Sequence, residues 1–222
     1  MMQIKNRPWY PALVERLVVH LGAEPFQRDG AHDLAHILRV AALADRIATS
    51  ERADGDVAVA AALLHDLVYR PKNHPESPRT ADLSAKLAQT WCEAIPELAP
   101  KAEAILHAIA AHSWSGGGTA ITLEAKVLQD ADRLEALGAI GIARVFATGG
   151  SFHSHLWHPE DPWAQHRELD DKAYTLDHFF KKLLKLEAAM TTAEGRRLAK
   201  ARQTTMTAYL DALRAELEPP PR

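Results

Sequence analysis

Cysteine is almost missing from this chain of 222 residues: Cys92 stands alone. No internal disulfide can staple the fold, which suits a reducing, cytoplasmic setting, and the thiol reads as a small buried apolar group. Charge of one sign is missing too. A formal net charge of -3 offers no general attraction to nucleic acid or to an anionic membrane, so neither is expected as a partner. Long hydrophobic runs are also absent, since the longest uninterrupted one is "VAVAAALL" at 57–64, too short to span a bilayer. The opening stretch "MMQIKNRPWYPALVERLVVHLGA" has no long apolar region or small-residue cleavage site and does not read as a secretory signal. No fixed-period repeat and no strand-like alternation is visible.

What remains is an ordinary globular composition, 47% apolar and 25% charged, of a length that one sizeable core accommodates. Alanine and leucine dominate, and the apolar residues recur at three and four positions. The spacing predicts helices over 11–21, 33–50, 56–68, 77–94, 99–112, 122–136, 138–147, 169–190 and 192–217, hence an all-α fold in one domain, 1–222. Breakers separate them: "NHPESP", "SGGGT" and "TGG". The segment 151–171, "SFHSHLWHPEDPWAQHRELDD", is the one long irregular stretch and reads as a lid or a subunit-contact loop. Its His153, His155, His158 and His166 follow no ligand spacing and read as surface histidines. "GAIGIARVFATGG" lacks both a preceding strand and the glycine spacing of a dinucleotide fingerprint, so Gly138 and Gly141 read as points of close helix packing. "GGGT" at 116–119 lacks the lysine of a phosphate loop and reads as a turn.

One feature of this ordinary chain is out of place. The helix "DVAVAAALLHDLVY" is apolar around nearly its whole circumference, the pattern of a helix surrounded by protein, yet it ends in His65 and Asp66. Burying an unpaired polar group costs on the order of 2–7 kcal/mol, and a bare charge far more. A divalent metal ion would supply the compensation. Further ligands stand on two other amphipathic segments. In "AHDLAHILRVAALA", His32 and His36 are four apart, as in the HExxH pattern but without its glutamate. His32 falls at the helix start, where it reads equally as a cap; His36 precedes the inward-facing part and is the better ligand. In "KVLQDADRLEALGA", Asp130 and Asp132 point to nearly opposite sides, so one ligates and the other supports. The structural alternative is a salt bridge from these aspartates to Arg133 or Arg144.

The ordered set His36, His65-Asp66 and Asp132 in an all-helical chain resembles the H…HD…D signature of the HD superfamily of metal-dependent phosphohydrolases. "HDLAHILRV", "AALLHDLVY", "AHS" and "QDADRLEALGAIGIAR" are similar to its small bacterial branch related to nucleotide pyrophosphohydrolases, and the likeness covers a core of about 20–190, leaving a C-terminal helix at 192–217. The resemblance implies an HD-type helical bundle with the metal in a central cleft, held by His36, His65, Asp66 and Asp132. A single ion is expected: His74 and His112 lie between the HD pair and the last aspartate, but not in a clear dinuclear pattern.

Two imidazoles and two carboxylates suit manganese, iron, cobalt or nickel, with magnesium or zinc as further candidates. Asp66 would ligate and orient the attacking water, and His112 would donate a proton to the leaving group. Arg70, Lys72, Arg133 and Arg144 are the candidate phosphate-binding cations. The expected activity is hydrolysis of a phosphoester or phosphoanhydride of a nucleotide, including release of pyrophosphate from a nucleoside triphosphate. Two other readings stay open: a non-catalytic helical module that binds metal or nucleotide as a regulatory ligand, and a plain helical interaction protein with hydrogen-bonded His and Asp. For the latter, the basic segment "GRRLAKAR" at 195–202 is adequately explained as a solvated helix face. The long C-terminal helices could mediate a homodimer.

Overall fold

The computed structural model of the chain describes residues 2–23, 28, 30–70, 74–113 and 118–218. Among these the architecture is all helical, and the sole β feature is an isolated parallel bridge between His155 and Tyr174. The described residues form two compact units, 1–132 and 133–222 by number. No helix among them is long and apolar enough to cross a membrane.

The first unit contains α1 (Met2–Lys5), α2 (Tyr10–Gly22), α3 (Leu34–Glu51), α4 (Gly55–Leu64), α5 (Thr80–Glu93), α6 (Ala102–Ala111) and most of α7 (Leu123–Leu134). Its centre is α4. Every residue from Val57 to Leu64 is buried, because the helix is packed by α3, α6, α2 and α5. The predominance of alanine in α4 lets its neighbours approach closely. α3 presents His36, Ile37, Val40, Ala41, Ala44, Ile47 and Ala48 to the interior, a three-and-four spacing that defines a single buried face.

Polar groups fix the start of α4. The Asp54 carboxylate caps the helix by accepting from the backbone N–H of Asp56 and Val57. Lys101 bridges Asp54 and Asp56 at 2.9 Å to each, and Arg7 joins Asp56 at 3.0 Å to Asp45 on α3 at 2.7 Å. Acidic groups at a helix N-terminus also complement its dipole. The end of α4 differs from the sequence expectation: the helix stops at Leu64, not at 68, with His65 as its C-cap. The predicted 77–94 and 99–112 helices each begin with a 3-10 turn, Ser77–Arg79 and Ala99–Lys101.

The second unit holds α8 (Gly138–Ser151), α9 (Asp177–Lys181) and α10 (Ala193–Leu217), with α8 packed on α10. Gly138 has a positive φ of 73° and faces the Arg202 side chain of α10 at a separation that leaves little room for a Cβ. Gly141 serves a different contact from the one expected: a Cβ there would run into the Ala136 backbone, in the turn before its own helix.

The long helix expected over 169–190 is not formed. Leu176, Phe179, Leu183, Leu186 and Met190 are all buried at helical spacing, but the backbone is a series of short turns around α9 and the 3-10 segment Leu183–Lys185. The competing interactions are polar. Asp177, fully buried, accepts from both terminal nitrogens of Arg167 at 2.6 and 2.8 Å and from the Asp170 N–H at 2.7 Å. The Thr175 and Leu176 N–H groups donate to the carbonyls of His155 and Leu156. These bonds hold the chain out of a continuous helix.

Asp56 supplies a test of how α4 is anchored. Partial burial would raise its carboxyl pKa, but the hydrogen bonds and charges of Lys101 and Arg7 hold it below the ordinary value of 3.8. The ionised form is thus favoured by folding, so its contribution is present above pH 3.8 and lost as pH falls further. Asp56→Asn is expected to lower the urea midpoint at pH 7, and the gap between variant and wild type is expected to close as the pH is brought below 3.8.

Candidate metal centre

The site is assembled from the start of α3, the end of α4 and the last turns of α7. The Asp33 side chain caps α3 by accepting from the His36 backbone N–H at 2.8 Å, which places His36 on the first turn facing inward, almost fully buried. At the end of α4, His65 Nδ1 lies 2.7 Å from the Ala62 carbonyl. A carbonyl can only accept, so Nδ1 carries the proton and Nε2 keeps its lone pair. One bond thereby caps a helix end and sets a tautomer.

Both imidazoles aim Nε2 at carboxylates. His36 Nε2 is 3.5 Å from Asp132 Oδ1, and His65 Nε2 is 4.0 Å from Asp132 Oδ1 and 4.0 Å from Asp66 Oδ2. The ligand atoms of His36, His65 and Asp66 all lie within 4.8 Å of one another. Distances of 4.0 Å are too long for hydrogen bonds, whereas ligands that each stand about 2.0–2.2 Å from one ion are necessarily about 3–4 Å apart. The donor set therefore fits a divalent ion: two imidazole nitrogens and two carboxylates.

Electrostatics agree with this fit. Burial would raise the carboxyl pKa of Asp66, but the surrounding His65, His32, His36 and Arg28 hold it well below the usual range. Asp132 is lowered in the same way, with burial outweighed by His65, His36 and His112. Both are ionised and ready to ligate. Asp130, two residues earlier, is fully buried, while about a third of the Asp132 side chain reaches solvent; the geometry brings Asp132 to the two histidines.

The remaining sequence candidates are distributed unevenly. His112, the C-cap of α6, bonds the Ile109 carbonyl through Nδ1 at 2.5 Å and stands edge-on to His65, with ring centroids 5.0 Å apart. Burial and the nearby His65 lower its pKa, favouring the neutral ring. His32 stands edge-on to His36 with centroids 5.8 Å apart, so it belongs to the rim of the site. Arg70 donates to the Tyr69 carbonyl at 2.8 Å and lies 3.5 Å from Glu76. Lys72 lies outside the described residues. In the second unit, Arg133 donates to the Ala189 carbonyl at 2.7 Å and Arg144 lies 3.5 Å from Glu135.

The turn after the dyad carries residues that sequence reasoning passed over. Arg28 Nη1 is 4.0 Å from Asp66 Oδ2, His20 Nε2 donates to the Leu67 carbonyl at 2.8 Å, and the Ser84 hydroxyl accepts from the Val68 N–H at 3.0 Å. Each comes from a distant part of the chain, and none falls in a recognisable motif. Ser84 is fully buried, so Ser84→Ala would leave the Val68 N–H without this acceptor. A loss of about 1–3 kcal/mol in unfolding free energy is expected from denaturant melts.

The chain is similar to known proteins in sequence and in fold. The sequence model of the HD domain matches residues 33–137. The YpgQ protein of Bacillus subtilis (strain 168) is 33% identical over 190 residues, covering 84% of each chain. The crystal structure of B. subtilis YpgQ in complex with ADP superposes with a TM-score of 0.70 at 30% identity, covering 94% of this chain and 95% of that one. An HD-superfamily hydrolase from Bacillus thuringiensis gives a TM-score of 0.68 at 26% identity, over 95% and 97% of the two chains.

Proposed function

The chain belongs to the HD-domain family, and from that premise we propose that it is a metal-dependent phosphohydrolase acting on a nucleotide, with release of pyrophosphate from a nucleoside triphosphate as the favoured reaction. The observation that carries the reading is the convergence of His36, His65 and Asp66 within 4.8 Å, with Asp132 beside them. The nucleotide part is supported by the ADP held in the crystal structure of the B. subtilis relative.

His36, His65, Asp66 and Asp132 would hold one divalent ion, with manganese, iron, cobalt or nickel favoured by the mixed nitrogen and oxygen donors. When bound, such an ion acidifies a water molecule and neutralises charge on a phosphoryl oxygen. The protein does the rest. Asp66, ionised and partly open to solvent, accepts a hydrogen bond from the attacking water and aims it at phosphorus. His65 is held in one tautomer by the Ala62 carbonyl, which leaves its Nε2 to serve as the ligand atom. His112 would handle the leaving-group proton; burial favours its neutral form, so once charged it would release a proton readily. Phosphate charge would be met by Arg70 and Lys72, which follow the dyad in sequence, with Arg133 and Arg144 as the further cationic candidates.

A panel of nucleoside mono-, di- and triphosphates assayed with Mn, Co, Ni and Mg, with separate detection of phosphate and pyrophosphate, tests this reading. His65→Ala and Asp66→Ala are each expected to reduce turnover at least about a hundredfold. Full activity in either variant, or no turnover of any substrate with any metal, would overturn the proposal. A second comparison separates the two α7 aspartates. Asp132→Asn is expected to lose bound metal by elemental analysis, whereas Asp130→Asn is expected to keep the metal and melt at a lower temperature.

A further inference from the structure

We propose that Arg28 is a positioning residue for the HD pair: its guanidinium ties the backbone turn at Asp66 and Leu67 to the backbone entering α3, and so sets the spacing between the ligands that the two helices carry. The inference rests on the metal-dependent reading above and extends it to a residue outside the family signature.

Arg28 lies before α3, yet only 9% of its side chain reaches solvent. A buried guanidinium persists only where its donors find acceptors, and main-chain carbonyls are among those of Arg28. Nη1 donates to the His32 carbonyl at 3.2 Å, and Nη2 donates to the carbonyl of Asp66 at 2.6 Å and of Leu67 at 3.4 Å. The guanidinium carbon sits 5.3 Å from the centre of the Tyr69 ring, and Nη1 is 4.0 Å from the Asp66 carboxylate. One planar group thus holds the segment one turn before His36 and the segment that contains Asp66.

The location explains the choice of side chain. α4 ends at Leu64, and the carbonyls at and beyond a helix C-terminus need donors and carry partial negative charge. His65 serves the Ala62 carbonyl, and Arg28 with His20 serves the turn that follows. Arginine presents donors on two separate nitrogens in a rigid fork, so it can serve both segments at once; a lysine ammonium offers only a single point of attachment. With the main chain of Asp66 tethered, its Oδ2 stands 4.0 Å from His65 Nε2 and 4.0 Å from Arg28 Nη1. Residues that orient metal ligands from behind typically change metal affinity about 10- to 100-fold when removed.

Arg28→Met, which keeps the side-chain stem, and Arg28→Lys, which keeps the charge, test the proposal in two arms on full-length protein with native far-UV circular dichroism. In metal-free protein, amide hydrogen exchange of residues 64–68 is expected to accelerate in Arg28→Met while residues 57–63 of α4 stay protected. In a cobalt titration followed by visible absorption, Arg28→Met is expected to bind about 10- to 100-fold more weakly than wild type with an altered spectrum, and Arg28→Lys is expected to recover part of the affinity. Unchanged exchange at 64–68 together with wild-type cobalt affinity would overturn the positioning role. Acceleration spread equally through α4 would also overturn it, by showing a general loss of stability. A wild-type protein that takes up no cobalt would remove the metal reading and the affinity arm with it, while the exchange arm still decides whether Arg28 holds the turn.

Discussion

An imidazole and a carboxylate stand at the end of a helix enclosed on all sides by apolar groups, and much of the first unit is arranged around that constraint. α4 has no solvent-facing side from Val57 to Leu64, so His65 emerges into the interior, not at the surface. The groups gathered there are Asp66 in the turn after α4, His36 from the start of α3 and Asp132 from α7. Ionic and hydrogen-bonding demands, which would destabilise the core if left unmet, are concentrated in one place and answered mutually.

Histidine geometry organises that place at a finer level. His32, His36, His65 and His112 form a chain of edge-on ring contacts, with successive centroids 5.8, 5.6 and 5.0 Å apart. At His112, burial and the nearby His65 disfavour protonation, while the carboxylates of Asp132 and Asp66 work against them. The proposed cation would draw imidazole nitrogens and carboxylate oxygens to one centre. Of the two aspartates of α7, whose side chains diverge on the helix, Asp132 lies within 4.0 Å of both His36 and His65.

Periodicity and composition made the helical class, the burial of α4 and the approximate extent of most helices legible from the sequence, and the resemblance singled out the residues that the fold gathers at the site. Boundaries failed where side chains replaced backbone bonds. His65 bonding to Ala62 ends α4 four residues early, an interaction invisible to apolar spacing. The 169–190 segment misled for the opposite reason: its buried residues keep helical phase, but Arg167 and Asp177 bind the chain into short turns. Arg28 was illegible because its hydrogen bonds to His32, Asp66 and Leu67 end on carbonyls, which are present at every residue and carry no sequence signal.

The two ends of α4 also make it a spacer of fixed length. Asp54 and Asp56 are tied to Lys101 and Arg7 at one end, and His65 and the turn beyond it are tied to Ala62, Arg28 and His20 at the other. Adding or deleting a single residue between them would shift one end by about 1.5 Å and rotate it by about 100° relative to the other. Evolution can therefore vary the side chains within α4 provided they stay small and apolar, but it cannot readily change their number. Insertions and deletions in descendants of this chain should accumulate elsewhere, and α4 should retain its length even where its sequence drifts.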